Sequence, residues 1–403
     1  MKRSTALFLS ALFILCCLQT AAQAIALSGR SSSQASWYED ERGADHFDLA
    51  QYLRFSTRDY GPDDTIRIDG YGRANGDVQQ GGGIDGRLYY LYLDKKGLPG
   101  NTRLRVGRQF YFVSAGSALI DGAKIETAPL GPLALTVAGG RNVMFSTTGE
   151  FTHGGDVAAG AQLALTAIPQ GSLNLSYFVT YDQSELATEK VGLSADKRFG
   201  KYGEVYTQLR FDVLSEVWNE IEAGVRTSIV PRLNLTAEYF RTIPTFEATS
   251  IYSVFAVNRF QEVGLKAEYE LAKPLSIEGE FRNESYGAGD TANVGELGVR
   301  WRPGDAASVY AAGIWRNGTG GKLLGGELSG NVAVAKRFTL AAGAQHDVYR
   351  RDLMTGDESA SRFWLGGDVK LRKDVSVAAR VEDNINENWN NDVRARLALN
   401  VDF

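Results

Sequence analysis

Over the last eleven residues of the chain, apolar and polar side chains alternate. Val393, Ala395, Leu397, Leu399, Val401 and Phe403 are separated by Arg394, Arg396, Ala398, Asn400 and Asp402. Successive side chains of a strand project to opposite faces, so this segment predicts a β-strand with one greasy and one charged face. The segment before it repeats the pattern, with Val375, Val377, Ala379 and Val381 set against Ser376, Ala378, Arg380 and Glu382. Phe363, Leu365, Gly367, Val369 and Leu371 likewise oppose Arg362, Trp364, Asp368, Lys370 and Arg372, and the same dyad runs through 263–271, 233–239 and 173–181. No helical heptad interrupts these segments, and the pattern predicts an all-β chain.

The connections carry a second pattern. Tight, turn-rich joints fall at 168–171, 199–202, 230–232, 272–274, 302–305, 335–338 and 372–374. Longer polar stretches fall between them, at 182–186, 214–219, 242–259, 283–293, 317–326, 350–361 and 383–391. Short and long alternate through seven hairpins, the asymmetry of a transmembrane antiparallel β-barrel with short periplasmic turns and long external loops. A soluble sandwich or propeller has no reason to place all its long loops at one end. Tyr181, Tyr202, Trp218, Tyr239, Trp301, Trp315, Phe363 and Trp389 lie close to predicted strand ends, where rings meet the lipid–water boundary.

The N-terminus sets the compartment. Lys2 and Arg3 precede an apolar run from Ala6 to Leu18, and Ala22-Gln23-Ala24 has the small-x-small form of a cleavage site, so residues 1–24 read as a secretory signal peptide. Residues 25–45 are then an N-terminal segment or a first strand, and 46–403 a single barrel domain. Cys16 and Cys17 both fall in the leader, which leaves the mature chain without a thiol for a disulfide, a metal or a haem. Of 43 Lys and Arg, two lie in the leader; the remaining 41 face 48 Asp and Glu, a net charge of −7 that argues against nucleic acid as a partner. With 45 Gly, 19 Phe, 18 Tyr and 6 Trp, the chain is too rich in aromatics for disorder.

These features together resemble a Gram-negative outer-membrane β-barrel of the porin-like channel class. The resemblance rests on the leader, the dyad strands, the alternating connections and the terminal Val401-Asp402-Phe403. In that class a C-terminal phenylalanine preceded by alternating apolar residues, here Phe403 after Val401, Leu399 and Leu397, implies recognition by the barrel-assembly machinery. Arg105-Val-Gly-Arg-Gln109, followed by Asp121-Gly-Ala123 and Gly131-Pro132-Leu133, also resembles a segment common in proteobacterial porin-like proteins. The resemblance implies an outer-membrane location, a lipid surround and a small hydrophilic solute or ion as cargo.

The 379 residues after position 24, at about 17 per strand and connection, predict 20–22 strands with 18 as the lower alternative. Twenty-one strands can be assigned from His46 onward. A complete hairpin count needs an even number, so either Gly29–Tyr38 is a first strand or one of the N-terminal strand assignments is in error. Dyad character is weakest at 110–131 and 141–156. Barrels this wide are typically plugged, yet only about twenty residues precede the first clear strand, too few for a plug domain. The lumen is left to water, inward-folded loops or another protein.

The polar faces assign candidate pore-lining charges. Acidic positions are Glu204, Glu222, Glu238, Glu262, Glu268, Glu270, Glu278, Glu280 and Glu296; basic positions are Arg54, Arg67, Arg73, Arg87, Arg103, Arg105, Arg380, Arg394 and Arg396. The basic set comes from the two ends of the chain, which closure joins, so it predicts a basic wall facing an acidic one and a transverse field across the pore. Mixed charge that merely solvates the lumen is the alternative. The segment 242–259 is unusually apolar for an external loop, with Phe246, Glu247, Tyr252 and Phe255 as candidate constriction residues. It either packs inside the barrel, covers its mouth, meets a partner or adds a short strand. The segment 139–156 is the second candidate.

Enzyme signatures are thin. Gly81-Gly-Gly83-Ile-Asp-Gly86 has dinucleotide-binding spacing but precedes a tyrosine-rich strand, not a helix. His46, His153 and His346 are too scattered to point to a shared metal, and no cofactor is implied. His153, near Thr147, Thr148, Glu150 and Asp156, is the one place where a barrel-wall hydrolase site could be sought. The leading expectation is a passive channel, not an enzyme. The alternative is a structural sheath that threads a multihaem cytochrome or lipoprotein partner across the membrane; with no CxxCH in this chain, every haem would belong to the partner.

Overall fold

The computed structural model describes residues 27–57, 65–81, 83–146, 149–250, 258–351 and 356–403. Every regular element among them is a strand. In chain order these are β1 (Leu27–Glu39), β2 (Asp45–Thr57), β3 (Ile66–Asp77), β4 (Asp85–Leu98), β5 (Thr102–Val113), β6 (Gly116–Glu126), β7 (Leu133–Asn142), β8 (Met144–Ser146), β9 (Gly149–Phe151), β10 (Val157–Leu165), β11 (Gly171–Asp182) and β12 (Glu185–Arg198). They continue as β13 (Glu204–Asp212), β14 (Val217–Thr227), β15 (Leu233–Thr242), β16 (Phe260–Ala272), β17 (Leu275–Ser285), β18 (Thr291–Gly304), β19 (Ala307–Gly318), β20 (Gly321–Ala335), β21 (Phe338–Arg350), β22 (Glu358–Lys370), β23 (Val375–Ile385) and β24 (Asp392–Asp402).

All but β8 and β9 join one 22-stranded antiparallel sheet, in which β7 pairs directly with β10 and β1 pairs with β24. The sheet closes on itself through the β1–β24 pairing, the condition for β-structure in lipid. At the seam Gly29 and Phe403 exchange backbone hydrogen bonds of 2.9 and 3.0 Å, and Arg30 grips Asp402 through two bonds of 2.6 and 2.9 Å. Leu27–Glu39 is thus the first strand that parity requires, and Gly29 and Phe403 lie together at one rim.

The outward faces are apolar and bare. Leu297, Leu324, Val263 and Leu365 are each more than half exposed, as lipid-facing side chains of an isolated barrel must be. Several connections at the terminal rim are short, down to two residues at 273–274, 305–306 and 336–337. At the far rim the predicted asymmetry takes a modified form. The segments 243–259 and 143–156 are long, whereas 182–186 and 317–326 contract to two-residue turns at 183–184 and 319–320. Gln183 and Ser184 have φ of 51° and 73°, the left-handed pair of a tight hairpin turn. The polar residues that read as loop instead extend the strands, because hairpin pairing satisfies their backbone in water as well as in lipid.

A barrel wall one residue thick buries little, and most apolar residues are at least partly exposed. The exception is a compact cluster of Tyr111, Ala115, Ile120, Ala138, Ala158 and Phe178. It lies inside the barrel.

Candidate functional site

The cluster exists because one hairpin leaves the wall. From Leu104 to Arg108 the β4–β5 register is regular, with Arg105 on the face opposite to Leu104 and Val106, which lie on the lipid side. One register row then carries three glycines on adjacent strands, Gly107 opposite Gly122 and Gly122 opposite Gly140. A Cβ at Gly107 would stand 2.4 Å from the Leu91 carbonyl oxygen, one at Gly122 2.1 Å from that of Gly139, and one at Gly140 2.5 Å from that of Asp121. Gly107 also has φ of 127°, which disfavours any side chain. The sheet folds sharply along this row.

Beyond it β5 loses β4 after Arg108, and β6 has no β7 strand partner above Ile120, so residues 110–118 pair only within this hairpin, and Val143 N donates to the Leu119 carbonyl at 2.8 Å where it leaves the wall. This tip lies across the inner wall of β7, β10, β11 and β12. There the lumen positions are small: Ala138, Ala158, Gly160, Ser176 and Gly192. Tyr111 packs over Gly160, and the tip docks through Ala115 N donating to Ser176 Oγ at 2.8 Å and Arg210 Nε donating to the Ser114 carbonyl at 2.9 Å. Burying large apolar side chains such as Tyr111, Ile120 and Phe178 contributes roughly 1.5–3 kcal/mol each, enough to hold the hairpin down. Folding over reverses the faces. The wall-facing side takes Gln109 and Tyr111, whereas Phe110 and Phe112, of lipid-facing parity lower in the strand, turn toward the bore with rings 5.7 Å apart.

The vacated wall is filled from β8 and β9. Arg108 binds Asp121 (2.7 Å), Glu150 (2.5 Å) and the Leu88 carbonyl (3.2 Å), tying β5, β6, β9 and β4 together. Phe145 lies under the Arg87 guanidinium at 4.6 Å and meets Tyr89 edge-on. The described part of the segment 139–156, weighed as a gate, is thus tied to β4 and β5 through Phe145 and Glu150. On either side of Phe110, Phe112 and Val113 are two cavities, of about 450 Å³ toward the terminal rim and about 680 Å³ toward the far rim.

Of the expected constriction residues, Glu247 lines the far-rim cavity near Lys190 and Arg210, while Phe246 is half-exposed. Thr245 bonds Asp212 at 2.8 Å and Ala248 N bonds the Ala187 carbonyl at 2.8 Å, so this leg lies over β12 and β13. Tyr252 and Phe255 lie outside the described residues. The hairpin at 109–119 was not expected from the chain pattern.

The eighteen predicted charges all lie on strands of the 22-stranded sheet. Glu204, Glu222, Glu238, Glu262, Glu268, Glu270, Glu278, Glu280 and Glu296 lie on β13–β18; Arg54, Arg67, Arg73, Arg87, Arg103, Arg105, Arg380, Arg394 and Arg396 lie on β2–β5, β23 and β24. Many are paired on their own side. Asp94, almost fully buried, takes Arg103 at 2.5 Å and Arg105 at 3.0 Å; Arg67 meets Asp69 at 2.9 Å, Arg380 meets Glu382 at 3.2 Å and Arg394 meets Asp392 at 2.8 Å. On the acidic side Glu278 meets Arg300 at 3.6 Å and Glu280 meets Arg282 at 3.2 Å. Like charges nevertheless face each other directly across strands. Glu262 opposes Glu284, Glu268 opposes Glu278 and Glu280 opposes Glu296, whereas Arg30 opposes Arg54, Arg73 opposes Arg87 and Arg380 opposes Arg396. Such rows cost stability, and here the Glu–Glu rows lie on β16–β18 and the Arg–Arg rows on β1–β4, β23 and β24. Glu220, Glu284, Arg30 and Arg300 belong to these sets and continue the same lumen parity.

The histidines are separate. His46 lies between Asp77 (2.5 Å) and Asp40 (3.3 Å), and His346 meets Ser361 at 2.8 Å. His153 is near Asp156 and Asp182, with potential ligand atoms within 4.8 Å of one another, the one such group among the described residues. Asp156 is fully buried and its carboxylate accepts the backbone N–H of Gln183 at 2.9 Å and of His153 at 2.5 Å, which hold it below the usual carboxylate range. It braces the 143–156 segment against the turn at 183–184. Glu150 is committed to Arg108, Thr147 and Thr148 lie outside the described residues, and no serine hydroxyl among the described residues is bonded to His153.

No protein-family model matches the chain, and no curated protein matches its sequence. Solved structures match in fold. The P pilus usher (PapC) translocation pore superposes with a TM-score of 0.54 at 9% identity over 93% of this chain and 99% of the usher's. The siderophore receptor PirA from Pseudomonas aeruginosa gives 0.58 at 12% identity, over 94% of this chain and 80% of the receptor. A BenF-like porin from Pseudomonas fluorescens Pf-5 gives 0.49 at 9% identity, over 94% and 98%. These likenesses concern the fold, a transmembrane β-barrel.

Proposed function

We propose that this chain is an outer-membrane channel through which small hydrophilic solutes or ions pass down their gradients, narrowed by the hairpin at 109–119. The observation that carries the reading is that hairpin, docked by its own polar and apolar contacts on a strip of small residues inside a bore lined elsewhere by charge. A narrowing element fixed in a hydrated lumen sorts solutes by size and polarity and needs no cofactor. The apolar belt, the expected leader at 1–24 and the C-terminal Phe403 as an assembly signal support an outer-membrane address, with the terminal rim periplasmic. The 243–250 leg is a second narrowing element at the other mouth.

The like-charge rows support a transverse field, arginine-rich around the seam and glutamate-rich on β16–β18. The sheath reading places a cytochrome or lipoprotein partner in the space the hairpin enters, so it requires the hairpin to be displaced. Purification from membranes followed by planar-bilayer recording separates the two. A lone protein giving discrete open pores supports the channel; a stoichiometric haem partner and a silent membrane support the sheath.

A further inference from the structure

Four tyrosines on the lumen face of β2–β4 form a chain of rings. Tyr52 lies 6.5 Å from Tyr71, Tyr71 lies 5.8 Å from Tyr90, and Tyr90 lies 5.7 Å from Tyr92; Tyr89 stacks on Tyr71 at 4.8 Å. All are partly exposed to the bore. The chain runs into the 450 Å³ cavity beneath the hairpin, where Tyr90 and Tyr92 face Phe110 and Phe112. A cavity of this size is large enough to hold a small organic solute.

The polar groups around it narrow the chemistry. Asp94 is shared by Arg103 and Arg105, and Lys124 Nζ is bound to Glu126 at 2.7 Å, so every charge has an opposite partner and one positive charge is left over. Held in place, they offer directed hydrogen bonds more than net attraction for an ion. Arg105 also covers Tyr92 at 4.2 Å. Tyr111 lines the same cavity, is only 3% exposed, and its hydroxyl has no hydrogen-bond partner. An unpaired buried hydroxyl costs about 1–3 kcal/mol, which a ligand hydroxyl could recover. Wet ring faces beside fixed hydrogen-bonding groups suit a solute with a flat C–H face and a rim of hydroxyls.

We propose that the tyrosine chain and the cavity beneath the hairpin form a binding track for neutral saccharides of one or two pyranose rings. The proposal rests on the channel reading and deepens it. The rings hold the sugar face, and Tyr111 with the Arg105–Asp94 and Lys124–Glu126 pairs takes its hydroxyls. Cross-strand packing alone would equally place tyrosines beside one another, and the following experiment separates the two.

The full-length protein is recorded in planar bilayers with cellobiose, glucose or the open-chain polyol sorbitol on one side. Cellobiose is expected to interrupt the current with resolvable residence times, and sorbitol at equal concentration is not. Tyr90→Leu and Tyr92→Leu should each shorten the residence about 3- to 10-fold, the value of one aromatic contact. Phe112→Ala, at a side chain 68% exposed and so without structural load, should shorten it as well. Equal block by sorbitol, residence unchanged in all three variants, or an open pore with no sugar block overturns the track alone. A membrane that stays silent under every condition overturns the channel reading, and the track with it.

Discussion

Gly192 shows what a single residue does for this barrel. It lies on the lumen face of β12, and a Cβ there would stand 2.3 Å from the backbone nitrogen of Ala115 at the hairpin tip. Gly192→Val should therefore unseat the tip, at a cost of about 1–3 kcal/mol for overpacking. The expected readout is a lower unfolding temperature together with a larger single-channel conductance; a variant with wild-type conductance would separate the hairpin from the narrowing. Asp156 makes a pH-dependent counterpart at the far rim. Its carboxyl titrates lower in the folded chain than in the unfolded one, because Gln183 and His153 N–H groups bind the ionised form. Its stabilisation is thus complete above the ordinary carboxylate pKa and disappears as pH falls through the lower folded value. Amide exchange at Asp156, Gln183 and Ser184 should stay slow at pH 5 and accelerate only in strong acid. Acceleration between pH 7 and 6 would contradict this assignment.

At the level of elements, the hairpin is the part the chain pattern conceals. Wall strands announce themselves by a charged face, as β24 does with Arg394, Arg396 and Asp402. The tip at 109–119 has no such face, because one side packs on the wall through Tyr111 and Ile120 and the other shows Phe110 and Phe112 to the bore. Weak dyad character at 110–131 was therefore the trace of a strand pair that had left the wall. Its receiving strip is legible once parity is known, since Ala138, Ala158, Gly160, Ser176 and Gly192 stand where neighbouring strands carry charge. The glycine row at 107, 122 and 140 is not, because it depends on register between three strands. Ser114 and Ser176 test how firmly the element is seated. Their hydroxyl oxygens are 2.8 Å apart, close to disulfide reach, and no cysteine follows Cys17 in the chain. Ser114→Cys with Ser176→Cys should cross-link spontaneously and leave conductance unchanged under oxidant and reductant. A conductance that changes with redox state would mean that the hairpin moves in normal operation.

For the whole molecule, the strands were readable from the two-residue period, and all eighteen candidate charges fall on them. What the period could not supply was how those charges pair. Most arginines at the seam share carboxylates on their own side, such as Asp94 with Arg103 and Arg105, and this drains the basic wall of net charge. The rows of opposed like charges remain, Arg380 against Arg396 and Glu280 against Glu296, on different parts of the circumference. The account predicts weak ion selectivity, seen as a reversal potential near zero in a tenfold salt gradient. A potential near the limit for either ion would contradict a divided field.

The most direct test joins these scales in one recording. Residues 110–118 are replaced by a short glycine linker, and the single-channel conductance of this protein is compared with that of the intact chain in the same planar bilayers. Discrete open pores are expected from the intact chain and a clearly larger unit conductance from the shortened one. A silent intact chain, or two chains with the same unit conductance, would contradict a channel narrowed by its own lumenal hairpin.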